Sequence, residues 1–211
     1  MDSRSGPEAD TARRLLGEVK GKRVLELGCG TAGWSIEFAK QGATAIGVDA
    51  SAEKLATALF RCEQEEVKVE FRPGDLADLA FLRADSIDAV FSDQALATVD
   101  DLDRLFRQVH RVLKAGAPLV FAIPHPAARL VDPAAVEPLI VRRSYFDRSP
   151  IEVERNGEAA VEHQHTFADV HGGLARAGYR VDTIVEPEPD TSDRGALVPR
   201  TLLVRARKEG V

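Results

Sequence analysis

A chain of 211 residues, 44% hydrophobic and 29% charged, is the size of one domain and has enough apolar content for a continuous core. Its formal charge of −6 argues against a surface that tracks nucleic-acid phosphates, because such surfaces need clustered positive potential. The start MDSRSGPEAD lacks an apolar run, no stretch approaches a membrane span, and the two cysteines are far from metal-finger spacing. The expectation is a cytoplasmic chain with reduced thiols, no membrane or nucleic-acid partner and no metal.

Ala9 to Val19 has helical spacing, with Leu15, Leu16 and Val19 on one side. Arg23 to Leu27 is a short apolar strand that stops at a glycine-rich turn. Trp34 to Lys40 predicts a helix ended by Gly42, where a C-cap favours glycine. Thr44 to Val48 predicts a buried second strand ending at Asp49, and Ser51 is placed to cap a helix with Leu55, Ala58 and Leu59 on its apolar side. Val67 to Phe71 alternates as a third strand. Ile87 to Phe91 is a fourth, followed by a helix from about Asp100 to Lys114, acidic in its first turn and basic in its last. Pro118 to Ile123 is the fifth strand. Strands separated by helices imply parallel pairing with right-handed crossovers, hence an α/β fold: an open, doubly wound sheet covered on both faces.

After strand five the pattern changes. Residues 124–165 form an insert within a single domain spanning 1–211, rich in proline and arginine up to about residue 150. Ile151 to Arg155 and Glu158 to His165 then read as two strands around a primed turn at Asn156-Gly157. The edge of that hairpin is a candidate for pairing with a second copy as a symmetric dimer. A helix from Thr166 to Ala177 and strands at Tyr179–Val185 and Pro199–Arg207 complete the pattern.

Glu26-Leu-Gly28-Cys-Gly30-Thr-Ala-Gly33 lies between a predicted strand and helix, where glycines let the backbone turn tightly and approach a ligand. GCGTAG also satisfies the dinucleotide fingerprint, so a nicotinamide oxidoreductase is the competing class. Glu26 separates the two readings: a carboxylate two residues before the first glycine can bind an ammonium group, directly or through the backbone, but would sit badly beside a pyrophosphate. Asp49, ending the second strand, can accept both ribose hydroxyls. Asp75, after the third strand, can receive an adenine amine. For Asp49 and Asp75 taken singly, turn chemistry is an equal explanation.

Val24-Leu-Glu-Leu-Gly-Cys-Gly-Thr resembles motif I of class I S-adenosylmethionine-dependent methyltransferases, Gly47-Val-Asp-Ala-Ser51 motif II and Pro73-Gly-Asp-Leu-Ala-Asp-Leu79 motif III. Phe91-Ser-Asp-Gln94 and His110-Arg-Val-Leu-Lys-Ala-Gly116 are similar to the segments flanking strands four and five, and Ala177-Gly-Tyr179 extends the likeness more weakly. The resemblance implies a seven-stranded, mostly parallel sheet of order 3-2-1-4-5-7-6 with a lid or hairpin insert after strand five. It implies S-adenosyl-L-methionine as cofactor, held by Glu26, Gly28, Cys29, Gly30 and Thr31 of the first loop, Asp49 and Ala50 of the second, Asp75 and Leu76 of the third, and Asp93 after strand four. Alanine replaces the usual glycine at Ala32, and Ala115 and Ala117 replace proline and glycine. These changes are harmless unless φ must be positive there. Cys29 also reads as filler of a small buried site.

Methyl transfer to a hydroxyl benefits from a base beyond the carboxyl ends of strands four and five. His125, fixed between Pro124 and Pro126, is the first candidate, and a histidine satisfied by the loop is its equal alternative. Phe91-Ser-Asp-Gln94 is a second, for which contact with the cofactor is the stronger explanation. His165 is a further candidate; on a strand it shares a side with His163, and two imidazoles without a third ligand make a zinc site unfavourable. Arg142, Arg143, Tyr145, Phe146, Asp147 and Arg148 suit a lid over a hydroxyl-rich ligand, with Tyr145 another catalytic candidate. GCGTAGWS and IPHP are faintly similar to bacterial sugar O-methyltransferases. The expected reaction is therefore O-methylation of a small polar acceptor, a saccharide or polyol. A quinone or natural-product acceptor is the alternative, disfavoured by the lack of a long apolar stretch to line a tail channel.

Overall fold

Successive residues of the short apolar runs enter opposite faces of one sheet, and that alternation organises the molecule. The computed structural model describes residues 5–130, 141–155, 157–188 and 198–210. Its strands are β1 (Arg23–Leu27), β2 (Thr44–Asp49), β3 (Val69–Pro73), β4 (Ala89–Asp93), β5 (Pro118–Pro124), β6 (Ile151–Arg155), β7 (Glu158–Glu162), β8 (Tyr179–Val185) and β9 (Thr201–Lys208). The helices are α1 (Pro7–Leu16), α2 (Gly33–Lys40), α3 (Ala52–Gln64), α4 (Leu102–Val112) and α5 (Phe167–Arg176), with 3-10 turns at Ala95–Thr98 and Ala128–Leu130. None of the described helices is long and apolar enough to cross a membrane.

Seven strands form one sheet of order β3-β2-β1-β4-β5-β9-β8, and β6 and β7 form a separate hairpin. The first five strands pair in parallel, and β9 runs antiparallel to both β5 and β8. This is the order expected from the resemblance once the two hairpin strands are counted in. Along β5, Leu119, Phe121 and Ile123 face the side covered by α4 and α5, where they meet Leu105, Phe106, Val109, Val170 and Leu174. The alternate residues Val120 and Ala122 face the side covered by α1 and α2, with Leu15, Leu16, Trp34 and Phe38. Each such buried Leu or Phe contributes roughly 1.5–3 kcal/mol, so the sheet holds its own cover in place.

Several boundaries differ from the sequence pattern for local reasons. α1 stops at Leu16 because Gly17 turns to φ 75°, although Val19 is buried as its spacing implied. α4 ends at Val112 because Leu113 goes extended and bridges Ile87, which leaves β4 to begin at Ala89. β7 ends at Glu162, paired with Ile151, because Pro150 precedes that residue and has no N–H to extend the ladder. His163 and His165 are therefore not on a strand. The turn partner Asn156 lies outside the described residues, as do 131–140 of the insert, while Gly157 has the positive φ of 82° a primed turn requires.

The alanines that depart from the family pattern are not equivalent. Gly116 carries the positive φ of its turn, at 74°, so Ala115 and Ala117 are under no strain. Ala32 is fully buried in the left-handed region, φ 63° and ψ 31°, a position that costs an L-residue roughly 1–2 kcal/mol. The expectation that alanine is harmless thus fails at this one site.

Candidate active site

Parallel pairing brings the ends of β1, β2 and β4 to one edge: Glu26 lies opposite Gly47 and Phe91, and Asp49 opposite Pro73. The loop after β1 is stitched to β2, with the Gly28 and Cys29 N–H groups both donating to Val48 O at 2.8 and 3.0 Å. Gly28 has φ 72°, and a Cβ there would stand 2.0 Å from that of Ala95. Gly30 has φ 52°, and its Cβ position faces open space. Gly47 makes room for Cys29, whose Sγ would lie 2.7 Å from a Cβ at that position.

Glu26 is buried, and its Oε2 accepts from the Ser35 N–H at 2.8 Å and the Ser35 hydroxyl at 2.5 Å. Ser35 is the third residue of α2, which has no side-chain cap of its own, so the strand carboxylate serves as one. Burial pushes the Glu26 carboxyl up to about 8, with the nearby charges of Asp93 and Asp49 adding to the rise and the Ser35 hydrogen bonds opposing it. Asp49 accepts from Gly30 N at 2.8 Å and from Ser51 N at 2.9 Å, bracing both ligand loops. Asp93 accepts from the Trp34 indole N–H at 3.1 Å.

The remaining predicted cofactor residues surround this set. Thr31 receives the Arg61 guanidinium on its carbonyl and hydroxyl at 2.7 and 2.9 Å, Ala50 is exposed, and Leu76 is buried. Asp75 does turn chemistry, accepting from Ala77 N at 2.8 Å, while its other oxygen faces Arg104 at 3.9 Å. Asp49 and Asp93, clustered about a Glu26 pushed towards its neutral form, suit a ligand that brings positive charge and would repel a pyrophosphate.

Across the edge lies a small, partly open cleft lined by Ala97, Ile123, Pro124, Arg129, His163, Gln164 and His165. The chain after β7 is fastened along the 3-10 turn: His163 N donates to Ala97 O at 2.8 Å, and His165 Nε2 donates to Val99 O at 2.8 Å. With its proton committed at Nε2, neutral His165 carries its lone pair on Nδ1. Burial lowers its pKa, so it stays neutral at physiological pH. Gln164 is buried and donates to Pro126 O at 3.3 Å. Arg129 is ion-paired with the fully buried Glu162.

His125 is turned to another task. Its Nδ1 accepts the Ala127 N–H at 3.1 Å, which leaves Nε2 to donate to Glu186 at 2.8 Å, so the neutral ring has no lone pair to spare. Tyr145 is likewise engaged elsewhere: its hydroxyl accepts the Phe167 N–H at 2.9 Å at the start of α5. Arg148 pairs with Asp169 of α5, and Arg143 binds Ser149, so these two arginines fasten the insert to α5 and to itself. Sequence reasoning missed Arg129, Glu162 and Gln164. For Glu162 and Gln164 the only signal was their place beside His163 and His165; Arg129, far away in the sequence, had none. Among the described residues, no group of three or more His, Cys, Asp or Glu could hold a metal.

Residues 24–116 match the family model described as a methyltransferase domain. The chain carries a methyltransferase domain. Around that domain, the chain shares the whole fold of a crystal structure of an S-adenosylmethionine dependent methyltransferase from Mesorhizobium loti. That likeness has a TM-score of 0.76 and 28% identity, over 95% of this chain and 97% of that one. It is 34% identical over 104 residues to a ubiquinone biosynthesis O-methyltransferase of Hahella chejuensis, covering 49% of this chain and 44% of that protein. It is 32% identical over 142 residues to a trans-aconitate 2-methyltransferase of Deinococcus radiodurans, covering 64% and 52%. The chain spans about half the length of these curated relatives.

Proposed function

We propose that this chain transfers the methyl group of S-adenosyl-L-methionine to a hydroxyl of a small polar acceptor, of the saccharide or polyol kind. The observation that carries the reading is a cation-seeking carboxylate cluster, Glu26, Asp49 and Asp93, together with the imidazole of His165 in a small cleft at the carboxyl end of β5. When bound, the donor supplies an electrophilic methyl group on a sulfonium. Glu26 and Asp93 would receive the donor's ammonium group, and Gly30, with open space at its Cβ position, would allow close backbone approach. His165 is the candidate base: pinned through Nε2, it takes the acceptor's hydroxyl proton at Nδ1.

Calorimetry with S-adenosylhomocysteine and NAD tests the cofactor, and binding of NAD alone would refute the proposal. Labelled donor offered with a panel of sugars, polyols and catechols tests the acceptor. A phenolic acceptor is the second reading, prompted by the ubiquinone O-methyltransferase likeness, and preferential turnover of the catechols would favour it.

A further inference from the structure

Resting on that reading, we infer that Trp34 is a positioning residue for the donor: its indole N–H holds the Asp93 carboxylate in place to receive the donor's ammonium group. Trp34 is the one tryptophan of the chain, 4% exposed, and its Nε1 donates to Asp93 Oδ2 at 3.1 Å. The ring has no room to turn away from that bond. It lies against Phe91 and Phe38, with ring centroids 4.8 and 5.9 Å away. The Arg13 guanidinium of α1 sits 4.9 Å over it and is itself ion-paired with Glu37. An indole has a single donor and no acceptor, so a ring fixed in this way fixes the direction of one hydrogen bond. Among the described residues, Oδ1 of Asp93 accepts no hydrogen bond, which leaves that oxygen for a ligand.

The next residue does the same for a second carboxyl group. Ser35 donates to Glu26 through its N–H and its hydroxyl, so two consecutive residues in the first turn of α2 hold the acidic groups near the ends of β1 and β4. The two acids differ in what they offer a ligand. Glu26 is buried, whereas Asp93 is only half-buried and closes its strand at the edge where the glycine loop lies. Phenylalanine at position 34 would meet the demands of apolar packing. The N–H is the feature that packing does not explain, and its acceptor is a charged group rather than a backbone carbonyl. A hydrogen bond to an ionised acceptor is roughly twice as strong as a neutral one. A carboxylate held before the ligand arrives also loses little freedom when an ammonium binds it.

The test titrates the full chain, labelled with a heavy nitrogen isotope, with three ligands: S-adenosylhomocysteine; its decarboxylated form, which keeps the amine; and methylthioadenosine, which has no amino-acid tail. One tryptophan gives one indole N–H resonance. That resonance is expected to shift with both amine-bearing ligands and to stay in place with methylthioadenosine. By calorimetry, Trp34→Phe should weaken the amine-bearing ligands by about tenfold and methylthioadenosine by less than about twofold, as loss of a charge-assisted bond predicts. Asp93→Asn should weaken the same two ligands, and adding Trp34→Phe to it should cost little more, since both act on one interaction. An indole resonance that ignores the amines, or moves equally for methylthioadenosine, overturns the inference. So does a Trp34→Phe loss shared equally by all three ligands, which is what a packing role alone would give. The resonance is read on the unaltered chain, so it decides the matter where a variant folds poorly. If the parent chain binds neither S-adenosylhomocysteine nor methylthioadenosine, the methyltransferase reading itself falls, and this inference with it.

Discussion

Glu26 holds its proton far more tightly in the folded protein than at the ordinary glutamate value of 4.5, up to about 8, because burial disfavours the charge. The stability this proton supplies is complete below about pH 4.5 and is lost as pH rises through about 8. Glu26→Gln keeps an oxygen for Ser35 and removes that slope. Its Tm should exceed that of the parent by roughly 4 °C or more near pH 8 and match it near pH 5, while S-adenosylhomocysteine affinity falls. The two histidines should also separate. His165→Ala is expected to lower turnover by about 10²–10⁴-fold, and because burial depresses the His165 pKa, the parent's rate with hydroxyl acceptors should stay level until pH drops below 6.5. A pH–rate profile that bends above 6.5 would count against His165 as base. His125→Asn should mainly reduce stability, by about 1 kcal/mol, through loss of the Glu186 contact. At this scale the carboxylates at strand ends could be read from spacing alone. Which imidazole keeps a lone pair could not, because it depends on Ala127 N–H and Val99 O, two backbone groups that leave no mark in the sequence.

Among the elements, the loop between β1 and α2 combines two glycines with different jobs. Gly28→Ala would drive a methyl into Ala95 in a left-handed residue, so urea unfolding should show a loss of about 3 kcal/mol or more. Gly30→Ala meets open space, so its stability cost should stay near 1–2 kcal/mol while S-adenosylhomocysteine binding weakens strongly. α5 begins with a reciprocal capping box between Thr166 and Asp169, and Asp169 is held down at about 2, against burial, by Arg148 and Thr166. Thr166→Ala should cost about 1 kcal/mol, measurable as a shift in the urea midpoint. Glycine spacing announced the first loop, and Ser51 its helix cap. The cap of α2 was hidden because its acceptor, Glu26, stands nine residues upstream on a strand.

For the whole molecule, the sheet order followed from alternating strand and helix patterns together with the methyltransferase resemblance, and the split of β5 between two cores shows why such patterns are informative. Less of the acceptor side could be read. Its wall is assembled from residues near 97, 123, 129 and 163–165, brought together by the return of the chain after β7 along the 3-10 turn, a contact with no periodic signature. The tight seat that Gly47 leaves for Cys29 has a practical corollary. Both cysteines, Cys29 and Cys62, are buried and their thiols titrate above the ordinary range, so thiol-alkylating reagents meet no ready thiolate on the folded protein. Modification of Cys29 must wait for the glycine turn to come apart, and the speed of iodoacetamide labelling, with and without bound nucleoside, becomes an intrinsic stopwatch for local opening at the donor's cradle.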